Sequence, residues 1–509
     1  MAEPPAEPPD KFPSDADFLE FLQRKAFDYF WLEANPANGL IRDRSRTNSY
    51  CSIAAVGFGL TAIGIGIDHG WITREQGRER VIRTLRTFHE KPQGPDAVGN
   101  IGYRGWFYHF LDMDTGLRAW KCELSSIDTA LFLAGALYTR EYFNSAHSDE
   151  GAIRDLANRI YKRIDWHWMT GGSSADATRA PTPNPAQEGN SNPDVQRPLP
   201  ASVGAGSGTL SMGWHPESGF IKRRWIGYNE AMLLLLLGLG ANDNPDTEAQ
   251  RAADSLRAEE AKELPTGRRQ HVGAARSQYA PIRGLDGTPE LTGRALPPEF
   301  WNGWTRGYQW KTSYGQSFVH FPPLFGHQYS HCWIDFRDIA DDYMRGKGID
   351  YFENSRRATL AQRAYCVANP GKFKGYGELV WGLTACDGPG FGQFQAYSAR
   401  GAPPPEIDDG TIAPTGAGGS LPFAPEICIL TLRHFYDLYR PNIWTRYGFC
   451  DAFNLTAGWW DPEVLGIDQG PILIMIENYR SGRVWKTFME AVEIQRGLER
   501  AGFRKTARK

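Results

Sequence analysis

"SYCSIAAVGFGLTAIGIGIDHGWI", residues 49–72, is small and apolar almost all round, and "TREQGRERVIRTLRTFHE", residues 73–90, follows it with one strongly charged face. A helix that is apolar on every side belongs inside a protein, whereas an amphipathic one lies against its outside. The pair therefore reads as an inner helix that hands the chain to an outer one. The alternation returns in "SSIDTALFLAGALYTREYF" (125–143) followed by "EGAIRDLANRIYKRIDW" (150–166). It recurs more loosely in "YNEAMLLLLLGLGA" (228–241), "FENSRRATLAQRAYCVAN" (352–369), "APEICILTLRHFYDLY" (424–439) and "DQGPILIMIENYRSGRVWKTFMEA" (468–491). With no strand–helix alternation and no long linker between two apolar bodies, the pattern predicts one all-α domain. A ring of helix hairpins meets this need, with inner helices forming the core and opening their N-terminal ends on a common mouth.

Two stretches break the rhythm. Residues 171–208 are rich in Pro, Ser, Asn and Gly, and residues 242–297 are polar apart from a short helical pattern near "DTEAQRAADSLRAEEAKEL". Neither holds enough apolar surface for a domain, so both are expected as insertions at the rim. The first 16 residues, opening "MAEPPAEPPDKFPSD", read as a flexible Pro/Glu-rich tail, and residues 17–505 as the single domain. Short strands or a hairpin are expected near "GWHPESGFIKRRWIG" (213–227).

Composition narrows the function. A net charge of −3 gives no basic footprint for a phosphate backbone, so nucleic acid is excluded as an expected partner. The seven Cys are scattered without a CxxC, which predicts buried free thiols in place of a disulfide frame or a zinc site. No apolar run reaches the roughly 18 residues that span a bilayer. The start carries no export signal, though a Pro/Glu spacer often follows a removed one. Aromatic residues at 13%, with 17 Trp and 21 Tyr, are the one excess. Aromatic faces fill cores, and they also stack on pyranose rings.

Three acids stand where inner helices begin. "RRWIGYNEAMLLLLLGLGA" (223–241) reads as one buried helix with Glu230 in its first turn. Asp128 opens the apolar helix of "KCELSSIDTALFLAG", with Ser125 as a candidate N-cap and Glu123 just upstream. Asp468 precedes Pro471 in "GIDQGPILIMIENYRSG", where Pro at the first turn would leave Asp468 as the cap. Each acid has an ordinary explanation at a helix start, where the macrodipole favours negative charge. In a closed ring the three converge, and paired carboxylates in an aromatic cleft are the equipment of glycoside hydrolysis. The stretch "WTRGYQWKTSYGQSFVHFPPLFGHQYSHCWIDFRD" adds Trp304, Tyr314, Gln316, His327, Gln328 and Tyr329 as candidate sugar contacts, joined by Tyr228 and Asn229 beside Glu230. His327 and His331 have the i, i+4 spacing of metal ligands, yet no HExxH accompanies them. Asp408 and Asp409 read as turn residues in a Gly/Pro loop.

Taken in order, "GHQYSHCWIDFRDIADDYMRGKGIDYFENSRRATLAQRAY", "WGLTACDGP", "DDGTIAPT", "YGFCDAFN" and "IDQGPILIMIENYRSG" resemble the bacterial glycoamylase-like family. It comprises the endo-β-1,2-glucanases of glycoside hydrolase family 144 and the related domain of cyclic β-1,2-glucan synthases. The resemblance runs from about Phe18 to Phe503 outside the two insertions. It implies an (α/α)6 barrel and inverting hydrolysis of β-1,2-glucan to short sophorooligosaccharides without a metal or other cofactor. On matching motifs, Glu230 is the expected general acid, Asp128 an acid of the cleft and Asp468 a base-side candidate. Trp381, Asp387 and Asp451 join the expected substrate contacts. The insertion after Glu230 leaves a sophorose-releasing exo-enzyme or a transglycosylase as alternatives on the same acids. A lyase using His and Tyr, or a non-catalytic glycan-binding protein, would not need Glu230. A monomer is expected, in the periplasm or secreted where β-1,2-glucans lie, with the cytoplasm as alternative.

Overall fold

A computed structural model of the protein describes residues 9–171, 208–242, 293–390, 396–402 and 407–506. The described part is largely helical. In chain order the helices are α1 (Asp15–Leu32), α2 (Ile53–Asp68), α3 (Arg74–Glu90), α4 (Ser126–Tyr142), α5 (Ser148–Lys162), α6 (Met232–Leu239), α7 (Glu299–Thr305) and α8 (Phe325–Trp333). They continue with α9 (Asp342–Lys347), α10 (Tyr351–Ala368), α11 (Pro414–Gly418), α12 (Pro425–Ile443), α13 (Gly466–Ser481), α14 (Arg483–Phe488) and α15 (Val492–Arg500).

The inner helices are those buried on nearly every side. α2 packs on α4 and on α13, α4 on α6, and α13 on α8 and α11. A second helix backs each of them: α3 behind α2, α5 behind α4, α15 behind α6, α10 behind α8, α12 behind α11 and α1 behind α13. The alternation predicted from 49–90 is therefore the alternation observed. Thr73 begins α3 with a reciprocal capping box to Gln76, which makes a sharp turn between inner and outer layers.

The α2–α4 contact is a close one, and two glycines permit it. A Cβ on Gly57 would lie 2.2 Å from the carbonyl oxygen of Leu131, and one on Gly135 would lie 2.1 Å from that of Gly57. Backbone cannot yield as a side-chain tip can. Gly135→Ala should therefore destabilise the fold by about 1–3 kcal/mol, in spite of alanine's better helix propensity. Urea unfolding would measure it, and an unchanged midpoint would show that the helices part at little cost.

Short antiparallel ladders edge the end where the inner helices begin. Cys51–Ser52 pairs with Phe110–Leu111, and Leu124–Ser125 with a hairpin formed by Gly213–His215 and Gly219–Phe220, as expected for 213–227. Ser52 and Ser125 end their strands as N-caps, accepting hydrogen bonds from the N–H groups of Ala55 and Asp128. All seven thiols are free and buried.

Several expectations need correction. The stretch 223–241 is not one helix: helix begins only at Met232, after a turn that holds Glu230, and Ala231 as N-cap offers no side-chain acceptor. Pro471 lies inside α13, which starts at Gly466, so Asp468 sits in the first turn and caps nothing. The tail expected to be flexible over 1–16 is docked from Pro9 onward. The Tyr436 hydroxyl donates to the Pro9 carbonyl at 2.6 Å, and the Phe12 ring packs edge-on against Phe18 and Tyr436. The helical pattern at 246–264 and nearly all of the 171–208 segment lie outside the described residues. Among the described residues no helix is long and apolar enough to cross a membrane.

Candidate active site

Two groups of charged side chains meet at the mouth. The first is built on α4. Ser125 accepts from the Asp128 N–H at 3.2 Å and donates its hydroxyl to Asp128 Oδ2, fixing the carboxylate at the helix start. His109 stands between Asp128 and Glu123, with Nε2 3.6 Å from Asp128 Oδ2 and Nδ1 2.9 Å from Glu123 Oε1. Burial works against its charge, but Asp128 and the hydrogen bond to Glu123 outweigh it and push the imidazole pKa up to about 9. For Glu123 burial opposes ionisation too, and the His109 hydrogen bond and charge overcome it, holding the carboxyl down at about 2. His109 and Glu123 are thus an ion pair at neutral pH, with Asp128 beside the imidazole.

Glu230 lies beside this triad and differs from it. Burial, aided by the charge of Asp128 and opposed by its own backbone N–H, raises its pKa to about 7. Its Oε2 is buried and accepts no hydrogen bond from the protein. The residue as a whole keeps an opening to solvent. A carboxyl that is half protonated near neutrality and has one oxygen unengaged is equipped to donate a proton to a ligand.

The second group carries four aspartates. Asp387 follows the strand Ala385–Cys386, and its N–H donates to Asp451 Oδ2 at 2.7 Å. Arg44 pairs with Asp387 and reaches Glu463 at 3.1 Å, tying the loop after α1 to this cluster. Burial raises Asp451 to about 6, against a hydrogen bond with Asp468 that favours its charge. Burial, then the charge of Asp451 and the hydrogen bond shared with it, raise Asp468 well above the usual carboxylate range. Asp461 is pushed to about 8, by burial first and Asp451 second. Burial and mutual charge favour one proton between these two carboxyls, with Asp468 the more strongly raised of the pair. Asp387, Asp451 and Asp461 each offer an oxygen within 4.8 Å of the others, the spacing that could hold one cation. The Arg44 guanidinium already supplies positive charge on the Asp387 side.

Tyr329 lies between the two groups. Its hydroxyl donates to the Ile467 carbonyl at 3.3 Å, and the charges of both Asp468 and Glu230 act on it. Tyr397 precedes Ser398, which pairs with Cys386, and so faces Asp387 across that hairpin. It is 41% exposed and feels the charges of Asp451 and Asp468.

Of the residues named from sequence, the mouth gathers Glu230, Asp128, Glu123, Asp468, Asp387, Asp451 and Tyr329. Others are packing residues, and their expected role as sugar contacts is corrected. His327 is buried, with Nε2 3.0 Å from the Phe321 carbonyl, and Gln328 is buried, donating to Gly416 and Ser420. Trp304 and Trp381 are wholly buried in the core. Tyr228 stacks on Tyr351 and contacts Ser355, while Asn229 accepts from the Ala231 N–H. Burial drives His327 and His331 down to about 3, and His331 contacts Ser355, so they form no ligand pair. Tyr314 and Gln316 flank the tip of a hairpin, with Tyr314 edge-on to Tyr365. Asp408 accepts from Tyr365 and Tyr376 and Asp409 pairs with Arg400, both structural as read. Sequence reasoning missed Arg44, His109, Asp461 and Tyr397. The charged run "RDRSR" (42–46) between apolar stretches was the one signal for the first of them.

Residues 290–492 match the model of the Glycoamylase family. The chain is 28% identical over 499 residues to an exo β-1,2-glucooligosaccharide sophorohydrolase (non-reducing end) of Parabacteroides distasonis, covering 96% of this chain and 58% of that one. A solved Bacteroides uniformis protein named as a candidate glucoamylase superposes with a TM-score of 0.74 at 29% identity, over 97% of this chain and 99% of that one. A third similar protein, the crystal structure of a β-1,2-glucanase from Parabacteroides distasonis, gives a TM-score of 0.72 at 26% identity. That likeness covers 96% of this chain and 60% of the other, so the chain spans about three-fifths of the Parabacteroides relatives it matches.

Proposed function

We propose that this chain is an inverting β-1,2-glucan hydrolase of the family 144 type, built on an (α/α)6 barrel whose six inner helices are α2, α4, α6, α8, α11 and α13. The observation that carries the proposal is the contrast between two carboxyl environments at one mouth. Glu230 has an unengaged buried oxygen and a pKa of about 7, while Asp451 and Asp468 share a proton and keep one negative charge. Two acids whose surroundings separate their protonation states divide the roles of acid and base.

In this reading Glu230 protonates the glycosidic oxygen as the bond breaks. Asp128 keeps that proton on Glu230 through its charge, and its own charge is balanced by His109. Water attacks the anomeric carbon from the opposite face, and its proton passes to the Asp451–Asp468 pair. Asp468 remains the base-side residue, with Asp451 carrying the charge. Arg44, anchored between Asp387 and Glu463, limits the repulsion as the pair changes state. Tyr329 and Tyr397 offer rings to the sugars. Every residue named comes from one chain, and the reading takes it as a monomer acting in the periplasm or outside the cell.

The primary mode is endo cleavage to short sophorooligosaccharides. Release of sophorose from a chain end is the second, favoured by the name of the 28% identical relative. A time course on linear β-1,2-glucan, beside starch, laminarin and a polyuronate, decides between them. A spread of short β-1,2 oligomers released as the inverted anomer is expected. Sophorose alone would establish the exo mode, products of retained configuration would overturn the inverting mechanism, and no cleavage of β-1,2-glucan would overturn the substrate.

A further inference from the structure

Trp120 is 60% exposed, in a chain whose other large aromatic side chains are mostly covered. It holds a φ of +49°, in the left-handed region that a bulky residue rarely adopts. The loop that carries it is not loose. Arg118 is almost wholly buried, and its guanidinium donates to the carbonyls of Cys122 at 2.8 Å and Ala97 at 3.1 Å, pairs with Glu217 at 2.8 Å and stacks over Tyr108. The fold thus pins both sides of a strained turn and leaves an indole in water.

The indole is continuous with the site already described. Its ring meets Tyr50 edge-on at 4.2 Å between centroids and Phe110 at 5.4 Å. Tyr50 accepts the Asp43 N–H through its carbonyl at 2.8 Å. Phe110 follows His109, the imidazole between Asp128 and Glu123. Trp120 therefore forms the outer step of an aromatic stair that descends to the carboxylates.

We propose that Trp120 is a distal sugar-stacking platform that holds a pyranose ring of the glucan outside the cleavage subsites, so that it sets the enzyme's preference for long chains. This rests on the β-1,2-glucan reading above. An indole held in place before binding loses little freedom when a sugar settles on it, which is the physical use of a pinned and strained loop. The face is hydrocarbon and the ligand class is a neutral, hydroxyl-rich ring, which presents its own C–H face.

The test uses the full-length protein with Trp120→Gly, which removes the ring and suits the positive φ, and Trp120→Phe, which keeps a ring. KM is measured on long β-1,2-glucan and on a β-1,2-linked trimer. With Trp120→Gly, KM on the long chain should rise about tenfold more than KM on the trimer, a tenfold step being the size of one good contact, with kcat on the long chain nearly kept. Trp120→Phe should recover most of the difference. Equal shifts on both substrates, or none, would overturn the platform and leave the hydrolase reading standing. If the wild-type enzyme cleaves other glucans but not β-1,2-glucan, the substrate reading falls, and this inference with it.

Discussion

Glu230→Gln should lower turnover of β-1,2-glucan by ~100- to 10,000-fold, the range expected when a general acid is lost. The amide keeps the shape of the side chain, and Oε2 has no protein partner to lose, so folding should be intact. The loss should fall on kcat, because the proton moves only as the bond breaks. The wild-type pH profile is tied to the same residue. Glu230 must be protonated, so activity should decline as pH rises through about 7. The base side must be ionised, so activity should decline as pH falls below about 6, the value for Asp451. In Glu230→Gln the alkaline limb should vanish while the acid limb persists. Near-normal turnover in that variant, or an alkaline limb that survives, would remove Glu230 from the acid role.

Asp468→Asn should be comparably severe for hydrolysis, again ~100-fold or more, yet it should make the protein more stable. Asp468 has its folded-state pKa raised by burial and by Asp451, as Asp451 and Asp461 have theirs raised to about 6 and 8. A carboxyl raised in the folded state favours folding in its protonated form. That advantage is complete below the unfolded pKa near 4 and is lost as pH rises through the folded pKa. As pH rises far enough to draw the last proton from the Asp451–Asp468 pair, the native cluster gathers crowded negative charge that an amide at 468 relieves. Thermal unfolding should give Asp468→Asn a Tm that gains on that of wild type as pH rises into the alkaline range, with the gap narrowing toward pH 4. A gap that stays constant with pH would mean that Arg44 already neutralises the cluster. A variant that loses only affinity would move Asp468 from proton transfer to sugar binding.

The helical plan was legible because it rests on local physics. A run such as Ile53–Asp68, apolar on all faces, can only be buried, and the charged 73–90 segment can only cover it. Ser125 could be named as a cap, and Glu230, Asp128 and Asp468 as mouth acids, because a carboxylate next to an apolar helix start is visible in the sequence. What misled was treating every chemically suitable residue between Trp304 and Tyr329 as part of the site. His327, Gln328 and Trp304 have the chemistry of sugar contacts, but α8 turns the first two into the core and α7 the third, and nothing in their order along the chain reveals that.

The sequence by itself determined a largely helical body of inner and outer helices and the place of Glu230 as a carboxylate before an apolar helix, since both follow from periodicity and from a charge that local context makes costly. Only the tertiary structure decided which charges meet. Arg44 and Asp387 pair across 343 positions of chain, and His109 reaches Asp128 from the bend before Phe110–Leu111. Protonation states depend on distance and burial in three dimensions, and Asp451 and Asp468 share a proton because folding removes both from water together.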